Sequence, residues 1–425
     1  MQNDTAFQMS ASNIRFGAGT TAEVGMDLRD MQLKRVMLVI DPALKDLPSG
    51  QVVCESLKAA GVDFEVFDRV AVEPTDESFR DAAEFATEGK FDSLVAVGGG
   101  STIDTAKAAN LYSTYPADFF HYVNAPIGAG QPVPGPLKPL IAIPTTAGTG
   151  SETTGVAIFD YVERKAKTGI AHRYLKPTLG IVDPNNTRTL PPAVAAASGL
   201  DVLSHALESY TAIPFTARPK PARPLERPAY QGANPISDIW ALRALEIVNE
   251  SLLRAVSDPS DDEARGQMLL ASAIAGIGFG NAGVHLPHGM SYPVAGMVKG
   301  FRPSGYNVDH PIVPHGISVI LHTAAVCRFT APASPLRHLT AAKALGADIR
   351  DVDADDAGTI LADRVTYFMR ALAMPNGLAA VGYTVADIPA LVAGTLPQHR
   401  VTKLSPIPAE GTELTRLFEQ SMTIW

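Results

Sequence analysis

SLVAVGGGSTIDTAK, residues 93–107, decides the fold. Its first six residues are apolar enough to form a strand buried on both faces, and the glycines then end it abruptly. From Ser101 the pattern becomes helical. A buried strand passing through a glycine turn into a helix is the first half of a βαβ unit. The flanking sequence repeats the pattern: RVMLVID (35–41) and LIAIP (140–144) are apolar runs, and DFEVFD (63–68) alternates. GIVD (180–183), ahead of Pro184, closes the series, and helical segments fall at 51–60 and 77–89. This alternation implies right-handed crossovers and a parallel sheet.

Beyond Leu190 the apolar period changes to about 3.6, over 192–212, 237–257, 261–280, 316–329, 355–372 and 410–421. The expected division is an α/β domain over 1–190 and an all-helical domain over 191–425. Ile213 to Ser237 carries six prolines and reads as a loop; Gly296 to Pro314 is a second irregular stretch. Loops that long inside a compact domain are more often functional than not.

A chain of 425 residues with 46% hydrophobic and 19% charged residues has enough to bury for two globular domains. A formal charge of −9 argues against nucleic-acid and anionic-membrane partners. Only Cys54 and Cys327 are present, which excludes a disulfide framework and a thiolate metal site. MQNDTAFQMSASNIRF at the N-terminus has no apolar leader, and no run of about 18 apolar residues follows. A cytoplasmic enzyme is the expectation.

Gly98, Gly99 and Gly100 permit close backbone approach, and the amides at the start of the following helix form an anion cradle. Ser101 adds a hydroxyl and Asp104 can cap the turn. The stretch PTTAGTGSE (144–152) supplies a second loop after a strand, rich in hydroxyls through Thr145, Thr146, Thr149 and Ser151. Two such loops at strand ends are where a doubly wound sheet takes a nucleotide. Asp41, at the end of another strand, suits a ribose 2′-hydroxyl and so favours NAD over NADP; it is also an ordinary turn residue before Pro42.

Asp201 and His205 are an i, i+4 pair on one helical face, while His288 and His315 come from other segments. One carboxylate and three imidazoles suit Fe²⁺, Zn²⁺ and similar divalent ions, and an open position there would polarise an alcohol or carbonyl oxygen. His285 and His310 are the spare histidines of this region. Lys167 could place a cation near cofactor or substrate.

The runs FGAGTTAEVG (16–25), GGGSTIDTAK (98–107), PTTAGTGSE (144–152), IVDP (181–184), GLDVLSHALESYTA (199–212) and GNAGVHLPHGMSYP (280–293) resemble the iron-containing (group III) alcohol dehydrogenases. The resemblance implies a dehydroquinate synthase-like architecture, with a dinucleotide-binding α/β domain and a helical metal-binding domain. It supports Asp201, His205, His288 and His315 as ligands of Fe²⁺ (or Zn²⁺), and Asp41, Gly98 to Ser101, Thr145 and Thr149 at NAD. Many members carry a histidine where this chain has Tyr292. That departure, with VEPTDESF (72–79) and the loops at 227–241 and 297–316, resembles the hydroxyacid-oxoacid transhydrogenase branch.

The branch implies hydride transfer from 4-hydroxybutyrate to 2-oxoglutarate through a retained nicotinamide, and the family implies a homo-oligomer, here a dimer. Tyr292 is a candidate for the proton path. A substrate carboxylate needs a cation, for which Lys299, Arg223 and above all Arg302 lie in the two long loops. The alternatives are an NAD-dependent alcohol dehydrogenase or an aldehyde or maleylacetate-type reductase, and a metal- and nucleotide-binding protein without turnover.

Overall fold

The computed structural model describes residues 2–164, 166–306 and 308–425, which form two compact units. One is Ser10–Leu190; the other is Pro191–Trp425 joined by the N-terminal residues up to Met9. Those first residues therefore group with the helical unit and not with the α/β unit they precede in the chain. Asp4 accounts for this: it is buried and bridged by both Arg218 and Arg227 at 2.9 Å, and its amide donates to the Arg218 carbonyl.

The α/β unit runs β1 (Ile14–Phe16), α1 (Val24–Asp30), β2 (Arg35–Ile40), α2 (Pro48–Ala60), β3 (Asp63–Phe67), α3 (Asp76–Gly89), β4 (Ser93–Gly98), α4 (Gly100–Thr114), β5 (Leu140–Pro144), β6 (Val156–Tyr161), β7 (Ala166–Ala171) and β8 (Leu179–Val182). Six of these strands make one parallel sheet in the order β1-β8-β5-β4-β2-β3. The continuous apolar runs follow from helices on both faces. Val36, Leu38 and Ile40, with Val95, Val97, Ile141 and Ile143, pack under Val53 and Leu57 of α2. The alternate residues Met37, Val39, Leu94, Ala96 and Ala142 pack under Ala82 and Ala86 of α3 and Ile103, Ala106 and Ala109 of α4. Three elements go beyond the pattern in the sequence: the short edge strand β1 and the antiparallel hairpin β6–β7.

The helical unit runs α5 (Pro192–Thr211), α6 (Pro235–Ser257), α7 (Asp262–Ala282), α8 (Leu286–Gly296), α9 (His315–Thr330), α10 (Pro335–Ala344), α11 (Ala357–Ala371), α12 (Ile388–Thr395), α13 (His399–Thr402) and α14 (Gly411–Gln420). Helix α5 is buried almost throughout and packs against α6, α7 and α9. Helix α9 with the turn after it, His315–Ala333, is long and apolar enough on average to cross a membrane, although His315, His322 and Arg328 interrupt its apolar run. Its apolar window is 78% buried inside the molecule, as a core helix requires. Helix α8 also escapes the sequence pattern, because Pro287 and Pro293 break its apparent period. Pro287 falls in the first turn, where a missing amide costs nothing.

Candidate metal centre

The four residues expected to act together are brought together. Asp201 and His205 project from one face of α5, with Nδ1 of His205 3.7 Å from Asp201 Oδ2. His288 of α8 places Nε2 3.7 Å from Asp201 Oδ1, and His315, the first residue of α9, places Nε2 3.8 Å from the same oxygen. All four donor atoms lie within 4.8 Å of one another. Donors about 2.1 Å from a shared ion sit roughly 3–4 Å apart, so the spacing fits a metal. Three of the residues are buried; His315 is a quarter exposed and marks the open side.

The chemistry of His288 supplies a further test of fit. Its Nε2 is buried without a hydrogen-bond partner, while Nδ1 bonds Glu208 Oε1 at 2.6 Å. A carboxylate can only accept, so Nδ1 carries the proton and the Nε2 lone pair points at the cluster. An orphaned imidazole lone pair beside a carboxylate and two more imidazoles is what a divalent ion satisfies. The His205 ring is fixed by stacking on Phe279, with centroids 3.9 Å apart and planes 7° apart.

Glu208 is the residue the sequence reading lacked. It sits on α5 one turn past His205, and its other oxygen accepts from the amides of His285 (2.6 Å) and His288 (3.4 Å). One carboxylate therefore orients a ring and holds the start of α8, where the helix dipole favours negative charge. Burial disfavours charge on both groups. Their contact outweighs it, holding the Glu208 carboxyl below and the His288 ring above their ordinary values.

Close packing sets the distance between α5 and α9. A Cβ on Gly316 would lie 1.9 Å from the Ala197 carbonyl oxygen and 3.2 Å from Asp201 Cβ. Gly316→Ala should therefore push His315 away from Asp201. The expected result is a loss of about 1–3 kcal/mol of stability with weaker metal retention, read by thermal unfolding and metal titration. Unchanged metal binding would show that α9 can shift without cost.

The spare histidines are otherwise employed. His285 bonds Thr211 Oγ1 at 3.0 Å, and burial pushes its ring down to about 4. His310 is exposed and bonds Asp309. Lys167 needs correcting as a free cation: it is buried in β7 and ion-paired to Glu73 (2.6 Å) and Asp160 (3.1 Å), so its charge is already spent on structure. Arg302, the expected substrate cation, is placed at the surface. It is exposed, where water competes for its donors. Lys299 is paired with Asp387 at 2.6 Å, and Arg223 is exposed. Tyr292 is buried on α8, one turn beyond His288, and its hydroxyl accepts from Arg400 at 3.0 Å.

Within the α/β unit, the cofactor candidates line the carboxyl edge of three adjacent strands. Asp41 follows β2, Gly98 ends β4 and Thr145 follows β5, with Asp41 N donating to Val97 O and Thr145 N to Gly98 O. A Cβ on Gly100 would lie 2.6 Å from Thr149 Cγ2, and one on Gly99 3.2 Å from Thr146 Oγ1, so the two loops touch because the glycines have no side chains. Asp41 accepts from Ala43 N, as a turn former does. Asp104 and Ser151 face inward: Asp104 accepts from Ser151 Oγ (2.5 Å) and Ile158 N (2.9 Å). Lys107, fully buried, joins them by donating to Ser151 Oγ (2.6 Å) and Val156 O (2.7 Å). These three residues shape the loops from beneath; Ser101, Thr146 and Thr149 keep partial exposure.

Comparison with known proteins identifies the family. Hydroxyacid-oxoacid transhydrogenase, mitochondrial, of Rattus norvegicus is 61% identical over 424 residues, 99% of this chain and 91% of that protein. Its name overturns the cytoplasmic location expected from the N-terminal residues. A crystal structure of 1,3-propanediol oxidoreductase superposes with a TM-score of 0.85 at 26% identity, covering 98% of this chain and all of that one (100%). Sulfoacetaldehyde reductase from Bifidobacterium kashiwanohense in complex with NAD⁺ gives 0.80 at 25% identity, covering 99% and 100%. The family described as iron-containing alcohol dehydrogenase matches residues 11–184, and its C-terminal part matches 226–422. A parallel-sheet unit, a helical unit and a buried Asp–His₃ cluster are thus the parts of an oxidoreductase, and the chain belongs to the iron-containing alcohol dehydrogenase family.

Proposed function

We propose that this chain transfers hydride between a small hydroxy acid, such as 4-hydroxybutyrate, and an oxo acid, such as 2-oxoglutarate, by way of bound NAD. The observation that carries the metal half is the convergence of Asp201, His205, His288 and His315 within 4.8 Å, with His288 oriented by Glu208. The donor set suits Fe²⁺ and also accepts Zn²⁺; elemental analysis of the purified protein decides between them. When bound, the metal supplies Lewis acidity toward an alcohol or carbonyl oxygen, and the nicotinamide supplies the hydride-carrying carbon.

The residues of the chain do the positioning. Glu208 keeps the His288 proton on Nδ1, and Phe279 stops the His205 ring from turning. Gly98, Gly99, Gly100 and Ser101, with Thr145, Thr146 and Thr149, offer the backbone edge and hydroxyls for a dinucleotide, and Asp41 at the end of β2 is the acceptor proposed for a ribose hydroxyl. Asp104, Ser151 and Lys107 hold that edge in place from below. The NAD⁺ complex of the sulfoacetaldehyde reductase supports the choice of cofactor, and the transhydrogenase of Rattus norvegicus supports the choice of acids.

Purified protein loaded with Fe²⁺ and given 4-hydroxybutyrate and 2-oxoglutarate is expected to form 2-hydroxyglutarate without added NAD. Product is measured by mass spectrometry. Strict dependence on added NAD, with no product from the acid pair, would instead mark an NAD-dependent alcohol dehydrogenase or reductase.

A further inference from the structure

Arg400 is a half-buried cation with one buried, unpartnered guanidinium nitrogen, and it has no carboxylate partner among the described residues. It lies on the one-turn helix α13, which packs against α8 at Gly289, the residue after His288: a Cβ there would sit 2.6 Å from Thr402 Cγ2 and 3.4 Å from Val401 Cγ2. Its Nη2 donates to the Tyr292 hydroxyl at 3.0 Å, and the guanidinium lies over the Tyr230 ring, 5.0 Å from its centroid. Nη1 is buried without a hydrogen-bond partner, and no carboxylate pairs with Arg400 among the described residues. An arginine cannot shed its proton, so a desolvated guanidinium with an idle donor is costly unless an anion completes it. Tyr292 accepts from Arg400 with a lone pair, which leaves its own proton to donate. The two side chains therefore present two donors side by side, the arrangement a carboxylate takes in.

Their position says which carboxylate. Tyr292 follows His288 by one turn on the same face of α8, and Arg400 is bonded to its hydroxyl. A helical turn rises about 5.4 Å, comparable with the span from a reacting oxygen across two methylenes to an acid group.

We propose that Arg400 and Tyr292 form the carboxylate clamp of the active site, gripping an acid group two methylenes from the carbon that gains or loses hydride. This rests on the proposed transfer between acids and gives it a common geometry. In 4-hydroxybutyrate the carbinol carbon stands two methylenes from the carboxylate; in 2-oxoglutarate the carbonyl carbon stands two methylenes from its distal one. One clamp thus seats donor and acceptor in turn with the reacting carbon in the same place.

The test uses the metal-loaded protein and two non-reacting probes, butyrate and its uncharged isostere butyramide, with binding measured by calorimetry. Wild type is expected to prefer butyrate. Arg400→Met should weaken butyrate about thirtyfold, as expected when one partner of a buried charge pair is removed, and should erase the preference over butyramide. Arg400→Lys should recover part of it, and Tyr292→Phe, which removes only the hydroxyl, should weaken butyrate about fivefold. In turnover, KM for 4-hydroxybutyrate should rise more than kcat falls. Equal loss of butyrate and butyramide, or no loss of butyrate in folded Arg400→Met and Arg400→Lys, overturns the clamp. Arg400-dependent butyrate binding in a wild type that makes no 2-hydroxyglutarate would uphold the clamp and reject the transhydrogenase activity.

Discussion

Substituting His288 by alanine is expected to release the metal and lower turnover by roughly 10³–10⁴-fold, the equivalent of several kcal/mol of lost Lewis-acid stabilisation. The size of the effect follows from the geometry on both sides of the ring. Toward the cluster, Nε2 stands 3.7 Å from Asp201 Oδ1 and has no other partner. Toward α5, Nδ1 is bonded to Glu208, so removing the ring also strands a fully buried carboxylate. That second loss costs about 3–5 kcal/mol of stability when a buried pair is broken from one side. Metal content by elemental analysis and folding by circular dichroism must be measured on the same preparation. A folded His288→Ala protein that retains one metal per chain and normal turnover would remove His288 from the centre. A folded protein with neither metal nor activity also dismisses a silent metal-binding role, because such a protein has no turnover to lose.

Which features the sequence displays depends on what each residue does in the fold. Strands β2, β4 and β5 are legible because burial on both faces leaves no room for a polar residue. The hairpin β6–β7 is not, since Asp160 and Lys167 read as solvent-facing charges until Glu73 from another segment joins them. Asp201 and His205 are legible as a helical pair. Glu208 lay within the same quoted run, and its spacing of seven from Asp201 puts it on that face; a rule that asks what orients each imidazole would have found it. Lys107 likewise carried a signal, as a charge set among Ala106, Ala108 and Ala109 of α4. Arg400 carried none. It belongs to a helix of one turn, and only the packing of Val401 and Thr402 of that helix on Gly289 brings it beside α8. Arg302 was the natural candidate by proximity to His315, but exposure leaves its charge to water.

Glu208→Gln tests how much of the metal affinity resides outside the four ligands. Both oxygens of Glu208 face donors: Oε1 meets His288 Nδ1, and Oε2 meets the amides of His285 and His288. Glutamine has one acceptor oxygen, so in either orientation its NH₂ group confronts a donor. If the NH₂ faces the α8 amides, the helix start loses its anchor, a cost of about 1–3 kcal/mol for buried donors left unpaired. If it faces the ring, relief comes by moving the His288 proton from Nδ1 to Nε2, which turns a lone pair aimed at the metal into an N–H and deletes a ligand. Both routes lower metal affinity, by up to about 100-fold for an outer partner of this kind. Competition titration with a chelator measures the affinity, and thermal unfolding with and without metal separates the anchoring loss from the ligand loss. The apo protein should lose stability only if the amides are stranded. Metal-dependent stabilisation should shrink in either case. A Glu208→Gln protein that holds metal as tightly as wild type would show that Asp201 and the three rings are organised by their own packing, with Phe279 against His205 and Gly316 against Ala197 sufficient to hold the centre together.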